Sequence, residues 1–173
     1  SSLRLGWGRL KELRDALIDV QASGKKIVFH FDGAEDPEMY LASIADQIYL
    51  SPAATLMLDG LHMQKTYVKK AMRQFGIEAE AIAAGKYKSA PRMFTAEEPN
   101  TEENEVQNAL LDVLFKHLVD GIAVGRKMPK EKVIAAMKDG GLSAKKAQEK
   151  GFIDGICYAS EMPKLVSQML NGG

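Results

Sequence analysis

The chain has 173 residues and carries 23 Lys+Arg against 23 Asp+Glu, so its formal charge is zero. That balance argues against a general nucleic-acid-binding protein, which would show a basic surplus. The length suits one domain with a sizeable core, and we expect residues 1–173 to form a single domain. Cys157 is the only cysteine, which excludes a disulfide within the chain.

The first sixty residues predict an alternation of helices and short apolar strands. A helix with apolar residues at Leu10, Leu13, Leu17 and Val20 is followed by a stop at Gly24. Residues 27–31 predict a strand. A second helix follows, with Asp36 as its cap and Pro37 at its first position. Two further strands are predicted at 47–52 and 54–61.

The remainder continues the alternation, mostly with helices. Residues 62–76 predict a helix closing on Gly76, and "IEAEAIAAG" at 77–85 predicts a fourth strand. A long helix is expected over 101–126, with an apolar stripe formed by Val106, Leu110, Val113, Leu114, Leu118 and Ile122, which should pack on the domain or on a neighbouring subunit. Shorter helices are predicted from Pro129 to Gly140, from Ser143 to Gly151 and over 160–170, with a short strand or turn at 152–159.

Strands that alternate with helices are typical of an α/β fold with a mainly parallel sheet. The chain opens on a helix, whereas a right-handed βαβ unit would place a strand before it. This order suggests a fragment of a longer protein. No apolar run approaches the roughly 18–20 residues of a membrane span, so a membrane anchor would lie outside this chain.

The common catalytic and metal-binding motifs are absent. The sequence contains no GxGxxG, P-loop, GxSxG or HExxH pattern. Ser43, Ser51 and Ser89 do not lie in glycine-rich turns that could supply an oxyanion hole. His30 alternates within a predicted strand and is expected to be packed or at an edge, while His117 lies beside the stripe of the long helix. No histidine pair has zinc spacing, so no metal site is expected.

Two lysines follow the predicted fourth strand in the segment "AGKYKSAP". Lys86 and Lys88 are two residues apart, near Tyr87 and Pro91. Lysine is usually exposed, so a solvated loop position is the ordinary interpretation. Burial would disfavour the charged form and lower the pKa of a lysine, which is what a general base requires. The residues alone leave both interpretations open.

Three segments, in order, resemble the bacterial signal peptide peptidase A family, also called protease IV. They are "YLASIADQIYLSP", "GKYKSA" and "KDGGLSAKKAQEKGFIDGI". The resemblance implies a crotonase/Clp-protease-like spiral α/β fold and a serine–lysine dyad. By position, Lys88 matches the catalytic lysine, with Tyr87 and Ser89 as possible supporting residues. A serine hydroxyl needs such a base to become nucleophilic.

The chain departs from this family at the nucleophile. Alignment on Tyr40-Leu41-Ala42 places Asp36, Pro37 and Glu38 where single-domain members carry a serine and two glycines. A carboxylate cannot replace the serine, so no nucleophile is expected in this chain. Double-length members contribute the lysine from an N-terminal domain and the serine from a C-terminal domain. The chain is similar to that N-terminal, lysine-donating domain.

The resemblance also implies partners and a location. We expect a C-terminal catalytic domain, a homo-oligomer, apolar signal peptides as substrates, no cofactor and no nucleic acid. The family is anchored at the bacterial inner membrane and acts on its periplasmic or extracytoplasmic face. Two other functions stay open: a non-catalytic scaffold of a peptidase oligomer, and a crotonase-type acyl-CoA enzyme. The second would need oxyanion-hole glycines that "AEDPEM" lacks.

Overall fold

The computed structural model describes residues 5–81 and 89–171, which fall into two compact units. Unit 1 is drawn from Ser1–Gly60 and Lys116–Gly173, and unit 2 from Leu61–Phe115. Unit 1 holds all five strands of the described residues. Its elements are α1 (Trp7–Ala22), β1 (Val28–Phe31), α2 (Asp36–Ala42), β2 (Gln47–Leu50), β3 (Thr55–Leu58), the end of α5 (Thr101–Gly125), α6 (Lys130–Lys138), β4 (Gly140–Ser143), α7 (Ala144–Glu149), β5 (Gly155–Ile156) and α8 (Met162–Asn171).

The strands of unit 1 form two small sheets. Strands β1, β2 and β5 pair in parallel in that order, and β3 pairs with β4 antiparallel. Ala34, which follows β1, makes a parallel bridge to Leu56 of β3. Alternate residues of the strands are fully buried, as expected for pleated strands packed under helices: Ile48, Leu50, Leu56 and Leu58. The predicted α/β class with mainly parallel strands is confirmed, while β4 was not predicted.

Helix ends lie where local sequence chemistry predicts them. Ser143 caps α7 by accepting a hydrogen bond from the Lys146 amide. Helix α6 follows Pro129, and Gly140 begins the next strand with a positive φ of 79°. One cap was assigned wrongly. Glu35, not Asp36, is the N-cap of α2, because the Asp36 carboxylate is engaged elsewhere and Glu38 accepts from the Glu35 amide (3.1 Å).

A buried arginine joins α1, α2 and α5 in unit 1. Arg14 is only 7% exposed, and its guanidinium donates to the Tyr40 carbonyl, the Ser43 hydroxyl (2.7 Å) and the Gly121 carbonyl (2.8 Å). Burial lowers the pKa of Arg14. The predicted stripe of α1 is mostly exposed, with Leu10 as its fully buried member. Packing of this helix therefore depends on a charged residue between its apolar positions.

Small residues allow α5 to approach α2. A Cβ at Gly121 would lie 2.3 Å from the Tyr40 ring, and one at Gly125 would lie 2.4 Å from the Ser43 carbonyl oxygen. Tyr40 also packs edge-on against Trp7, with ring centroids 5.8 Å apart. The close contact of α2 with α5 consequently requires glycine at both positions, since larger side chains would collide with the backbone or ring.

Helix α5 spans nearly the predicted range, but its apolar stripe is buried over only part of its length. Leu118 and Ile122, in unit 1, are fully buried. Val106, Leu110 and Val113 are 51%, 47% and 53% exposed. These three side chains are not covered by the described residues. The alternative, that this part of the stripe packs on a neighbouring subunit, stays a prediction.

Unit 2 contains fewer regular elements than the sequence predicts. Its helices are α3 (Lys69–Gln74), α4 (Arg92–Thr95) and the first part of α5. The predicted helix over 62–76 is wrong at its start, because Lys65 and Tyr67 both reach Glu103. Residues two apart share a face in an extended chain and not in a helix.

The predicted strand at 77–85 is also wrong over residues 77–81, the part of it that the structure describes. Residues 77–81 form no strand, and residues 82–88 lie outside the described part. A strand exists only where a neighbouring chain segment completes its backbone hydrogen bonds. The alternating pattern Ile77-Glu78-Ala79-Glu80-Ala81 finds no such neighbour among the described residues.

Unit 2 is organised around one buried carboxylate. The Glu103 side chain is 1% exposed and accepts hydrogen bonds from Lys65, from the Tyr67 hydroxyl (2.9 Å), from Arg92 (3.0 Å) and from the Asn100 amide (3.2 Å). Asn100 returns a bond by accepting from the Glu103 amide, which caps α5. Burial raises the pKa of Glu103, but the donors outweigh burial and lower it to about 2.

This depressed pKa makes an acid-stability prediction. The unfolded pKa of a glutamate is about 4.3, so the stabilisation from ionised Glu103 is complete above that pH. It should be lost as the pH falls from there towards about 2, because the unfolded state then binds the proton more tightly. Urea unfolding from pH 2.5 to 7 should show a steeper acid loss for the wild type than for Glu103→Gln. Exposed Glu105→Gln, on the same helix, is the control and should retain the wild-type slope.

Candidate active-site region

The N-terminus of α2 is the position that the sequence compares with a nucleophile turn. It lies in unit 1, just after the carboxyl end of β1. Asp36 is the first residue of the helix and is 3% exposed. Its Oδ2 accepts hydrogen bonds from the amides of Asp59 (3.2 Å) and Gly60 (3.1 Å). The side chain is therefore held inside the fold, and no attacking group is presented here.

The backbone around Asp36 offers few free donors for an oxyanion. The Ala34 amide donates to the Thr55 carbonyl (3.3 Å), and the Glu35 amide donates to Glu38 (3.1 Å). Pro37 has no amide hydrogen. An oxyanion hole requires free N–H groups directed at the developing charge. The arrangement agrees with the inference, drawn from the missing glycines, that this turn does not carry out acyl transfer.

The carboxyl of Asp36 has an unusual ionisation. Burial is the main reason that its pKa is raised to about 7, and the nearby Asp59 carboxyl raises it further, while the two amide donors oppose this shift. The Oδ1 atom is buried and has no hydrogen-bond partner among the described residues. From the sequence alone, Asp36 was expected only to occupy the position of a lost nucleophile; its burial and its raised pKa were not predicted.

A cleft of about 420 Å³ lies beside this turn. Its lining comes from the end of β1, the loop into α2 and one side of β3: residues 30–35, Glu38, Thr55 and Met57. Three of the lining side chains are acidic, namely Asp32, Glu35 and Glu38. Clefts at the carboxyl ends of parallel strands are frequent ligand sites in α/β folds.

A polar cluster that sequence reasoning missed lies at the same strand ends. The Ser51 hydroxyl donates to Asp32 and lies 3.5 Å from Nε2 of His30. That Nε2 lies 3.0 Å from the Cys157 carbonyl oxygen. A carbonyl oxygen only accepts, so Nε2 carries the hydrogen and cannot take a proton from Ser51. Serine, histidine and aspartate thus meet here without the bonding order of a catalytic triad.

The lysine segment is only partly placed. Lys86, Tyr87 and Lys88 lie outside the described residues. Ser89 is half-buried, and its carbonyl accepts from the Arg92 amide (2.9 Å) at the start of α4. Arg92 in turn binds Glu103, so the chain that leaves the lysine segment is anchored to the buried carboxylate of unit 2. The catalytic assignment of Lys88 stays a prediction.

Neither a metal site nor a membrane span is found in the part of the chain that the structure describes. No group of three or more His, Cys, Asp or Glu side chains among those residues is placed to hold a metal ion. Within the ranges 5–81 and 89–171, no helix combines the length and the apolar composition needed to cross a membrane.

Comparison with known proteins agrees with the motifs. The family model described as peptidase family S49 matches residues 19–171. The chain is 28% identical over 168 residues to the "Serine protease SPPA, chloroplastic" of Arabidopsis thaliana, with 97% of this chain and 25% of that protein covered. It is 22% identical to "Protease 4" of Haemophilus influenzae, with 91% of this chain and 27% of that protein covered.

The chain spans about a quarter of the length of these curated relatives, including a "Protease 4" of Salmonella typhi to which it is 20% identical. The family match covers most of the chain, and the mixed arrangement of helices with short parallel strands agrees with the crotonase/Clp-like fold of that family. The chain belongs to peptidase family S49.

Proposed function

We propose that this chain is the lysine-donating part of a serine peptidase, in which Lys88 acts as general base for a serine on a partner domain or subunit. The observation that carries the proposal is that this member of a peptidase family has a buried aspartate, Asp36, at the start of α2. Asp36, which the resemblance puts at the position of the serine, is 3% exposed and is held by two backbone amides. A reaction of this family therefore needs a nucleophile from outside the described turn.

The covered share of the relatives supports a division of labour between parts of a longer protein. Each relative is three to four times as long as the matched region and is named a protease.

The substrate class we propose is apolar signal peptides. The location we propose is the extracytoplasmic face of a bacterial inner membrane, with the protein held there by an anchor outside this chain. The apolar side chains exposed on the first half of α5 support an oligomer, in which they would be covered: Val106, Leu110 and Val113.

The proposal predicts that the isolated chain is inactive. It should not hydrolyse peptide esters, and fluorophosphonates, which label activated serines, should not modify it. The physical reason is that Ser43 is fully buried and bonded to Arg14, while the Ser51 hydroxyl donates to Asp32 and the nearby His30 Nε2 contacts the Cys157 carbonyl oxygen. Labelling is measured by intact-mass spectrometry, with an active serine hydrolase as positive control. Stoichiometric modification of Ser43, Ser51 or Ser89 would contradict the proposal.

A further inference from the structure

Glu103 is the only buried residue among residues 61–81 and 89–115, the described part of unit 2. The large apolar side chains of this part include Phe75, which is 81% exposed, and Phe94, which is 43% exposed. A buried apolar core therefore does not fix the described part of unit 2. Its internal geometry depends on the hydrogen bonds that converge on one carboxylate.

Those hydrogen bonds join three segments of the chain. The donors to Glu103 come from the segment before α3, from α4 and from the residue before α5: Lys65, Tyr67, Arg92 and the Asn100 amide. A backbone bond from the Val68 amide to the Met93 carbonyl (2.8 Å) also joins the first segment to α4. Within unit 2, α4 is consequently held in a defined place relative to the start of α5.

Arg92 connects this cluster to the lysine segment. Its Nε donates to Glu103 (3.0 Å), while its own amide donates to the Ser89 carbonyl (2.9 Å). Ser89 directly follows Lys88 in the sequence. Pro91, with a φ of −67°, lies between Ser89 and Arg92, and its ring permits little rotation there. The Arg92 side chain therefore fastens the first described residue after the lysine segment to the buried carboxylate.

Buried charged clusters contribute little net stability. Removing an ion from water costs several kcal/mol, and apolar side chains of similar volume are often as favourable for stability. A general base, in contrast, depends on its distance from the serine hydroxyl, and a displacement of about 1 Å can reduce the rate roughly 100-fold. Placement of a catalytic group is therefore a role that this cluster is suited to perform.

We propose that Arg92, held by Glu103, is a positioning residue for the general base: it fixes the point at which the chain leaves the lysine segment and thereby the place of Lys88. The inference rests on the proposed function, in which Lys88 activates a serine of a partner. Arg92 and Glu103 act through the backbone at Ser89 and have no chemical role of their own in the reaction.

The test compares the full-length wild-type enzyme with Arg92→Ala on one peptide substrate. The substitution keeps the amide bond to Ser89 but removes its attachment to Glu103. We expect kcat, per folded enzyme, to fall roughly 10–100-fold and KM to change by no more than about twofold, as for a displaced catalytic group. Arg73→Ala is the matched control, because Arg73 forms an exposed ion pair in the same unit, and it should retain the wild-type kcat.

The pH dependence of kcat separates positioning from a purely structural role. A variant that only unfolds more readily loses rate in proportion to its folded fraction, measured by circular dichroism, and keeps the apparent pKa of the wild type. A displaced lysine changes its contact with water, so Arg92→Ala should move the apparent pKa of kcat by about 0.5 pH unit or more towards the free value of about 10.4. Either an unchanged apparent pKa or a wild-type kcat would overturn the inference.

Lys88→Ala in the same assay separates this inference from the proposed function. If Lys88→Ala keeps the wild-type rate, the proposed function fails and the inference fails with it. If Lys88→Ala is inactive while Arg92→Ala has the kcat and apparent pKa of the wild type, only the inference fails.

Arg92→Lys replaces Arg92→Ala if that variant does not fold. The guanidinium donates to Glu103 through Nε and to the Glu98 carbonyl through Nη2 (3.3 Å). An ammonium keeps the charge but cannot reproduce this planar two-point geometry. The same two changes, in kcat and in its apparent pKa, are expected with a smaller size, and the absence of either one would again overturn the inference.

Discussion

In the full-length enzyme, Lys88→Ala should reduce peptidase activity by about 10²–10⁴-fold, the usual contribution of a general base. The reason is chemical: without a group to take its proton, a serine hydroxyl on the partner is a weak nucleophile. Lys88→Arg should be nearly as damaging, since a guanidinium keeps its proton at any practical pH. The wild-type rate should rise with pH through an apparent pKa well below about 10.4, as expected for a desolvated lysine.

The matched control lies two residues away in the same motif. Lys86→Ala removes the same charge and should have a mild effect, because we propose Lys88, and not Lys86, as the general base. Purified wild type and the three variants would be assayed on one peptide substrate across pH. Wild-type rates for Lys88→Arg together with loss of activity in Lys86→Ala would transfer the role to Lys86. A purely scaffolding chain would leave all three variants active.

Arg14→Ala should destabilise unit 1 by about 2–4 kcal/mol. The substitution removes three hydrogen bonds to buried acceptors, on Tyr40, Ser43 and Gly121, and leaves a void where the long side chain packed. It also removes the cation that lies 4.5 Å from the centre of the Tyr40 ring. Arg14→Lys should lose much of the same stability, because an ammonium cannot span acceptors on two helices as the planar guanidinium does.

Arg9→Ala is the control for charge and helix propensity, since Arg9 is exposed on the same helix. It should change the free energy of unfolding by no more than about 0.5 kcal/mol. Urea titrations monitored by Trp7 fluorescence at constant pH would give the three values. An Arg14→Ala variant as stable as Arg9→Ala would show that the guanidinium contributes no more than its desolvation costs.

The sequence predicted the family of this chain, but it did not predict the contacts made by the residues of the candidate site. The sequence alone leads to the expectation that Asp36 stands at the nucleophile position, through the resemblance; the family match confirms the family and does not test that position. The hydrogen bond from the Asp59 amide to the Asp36 carboxyl could not be predicted, because the two residues are 23 positions apart and no motif between them specifies that the chain returns to α2. The cluster of His30, Asp32 and Ser51 was missed for the same reason: parallel pairing of β1 and β2 brings their ends together.

The sequence by itself determined the features that depend on neighbours along the chain. Proline, serine and glycine set the ends of α6 and α7, since they act through local backbone geometry and capping, and the apolar periodicity set the extent of α5. Tertiary structure alone decided which face of each element is buried. Arg14 is covered while Val106 is exposed, and residues 65–67 lie outside any helix, with Lys65 and Tyr67 both donating to Glu103. Burial and hydrogen bonding are completed by groups distant in sequence, so a local pattern cannot specify them.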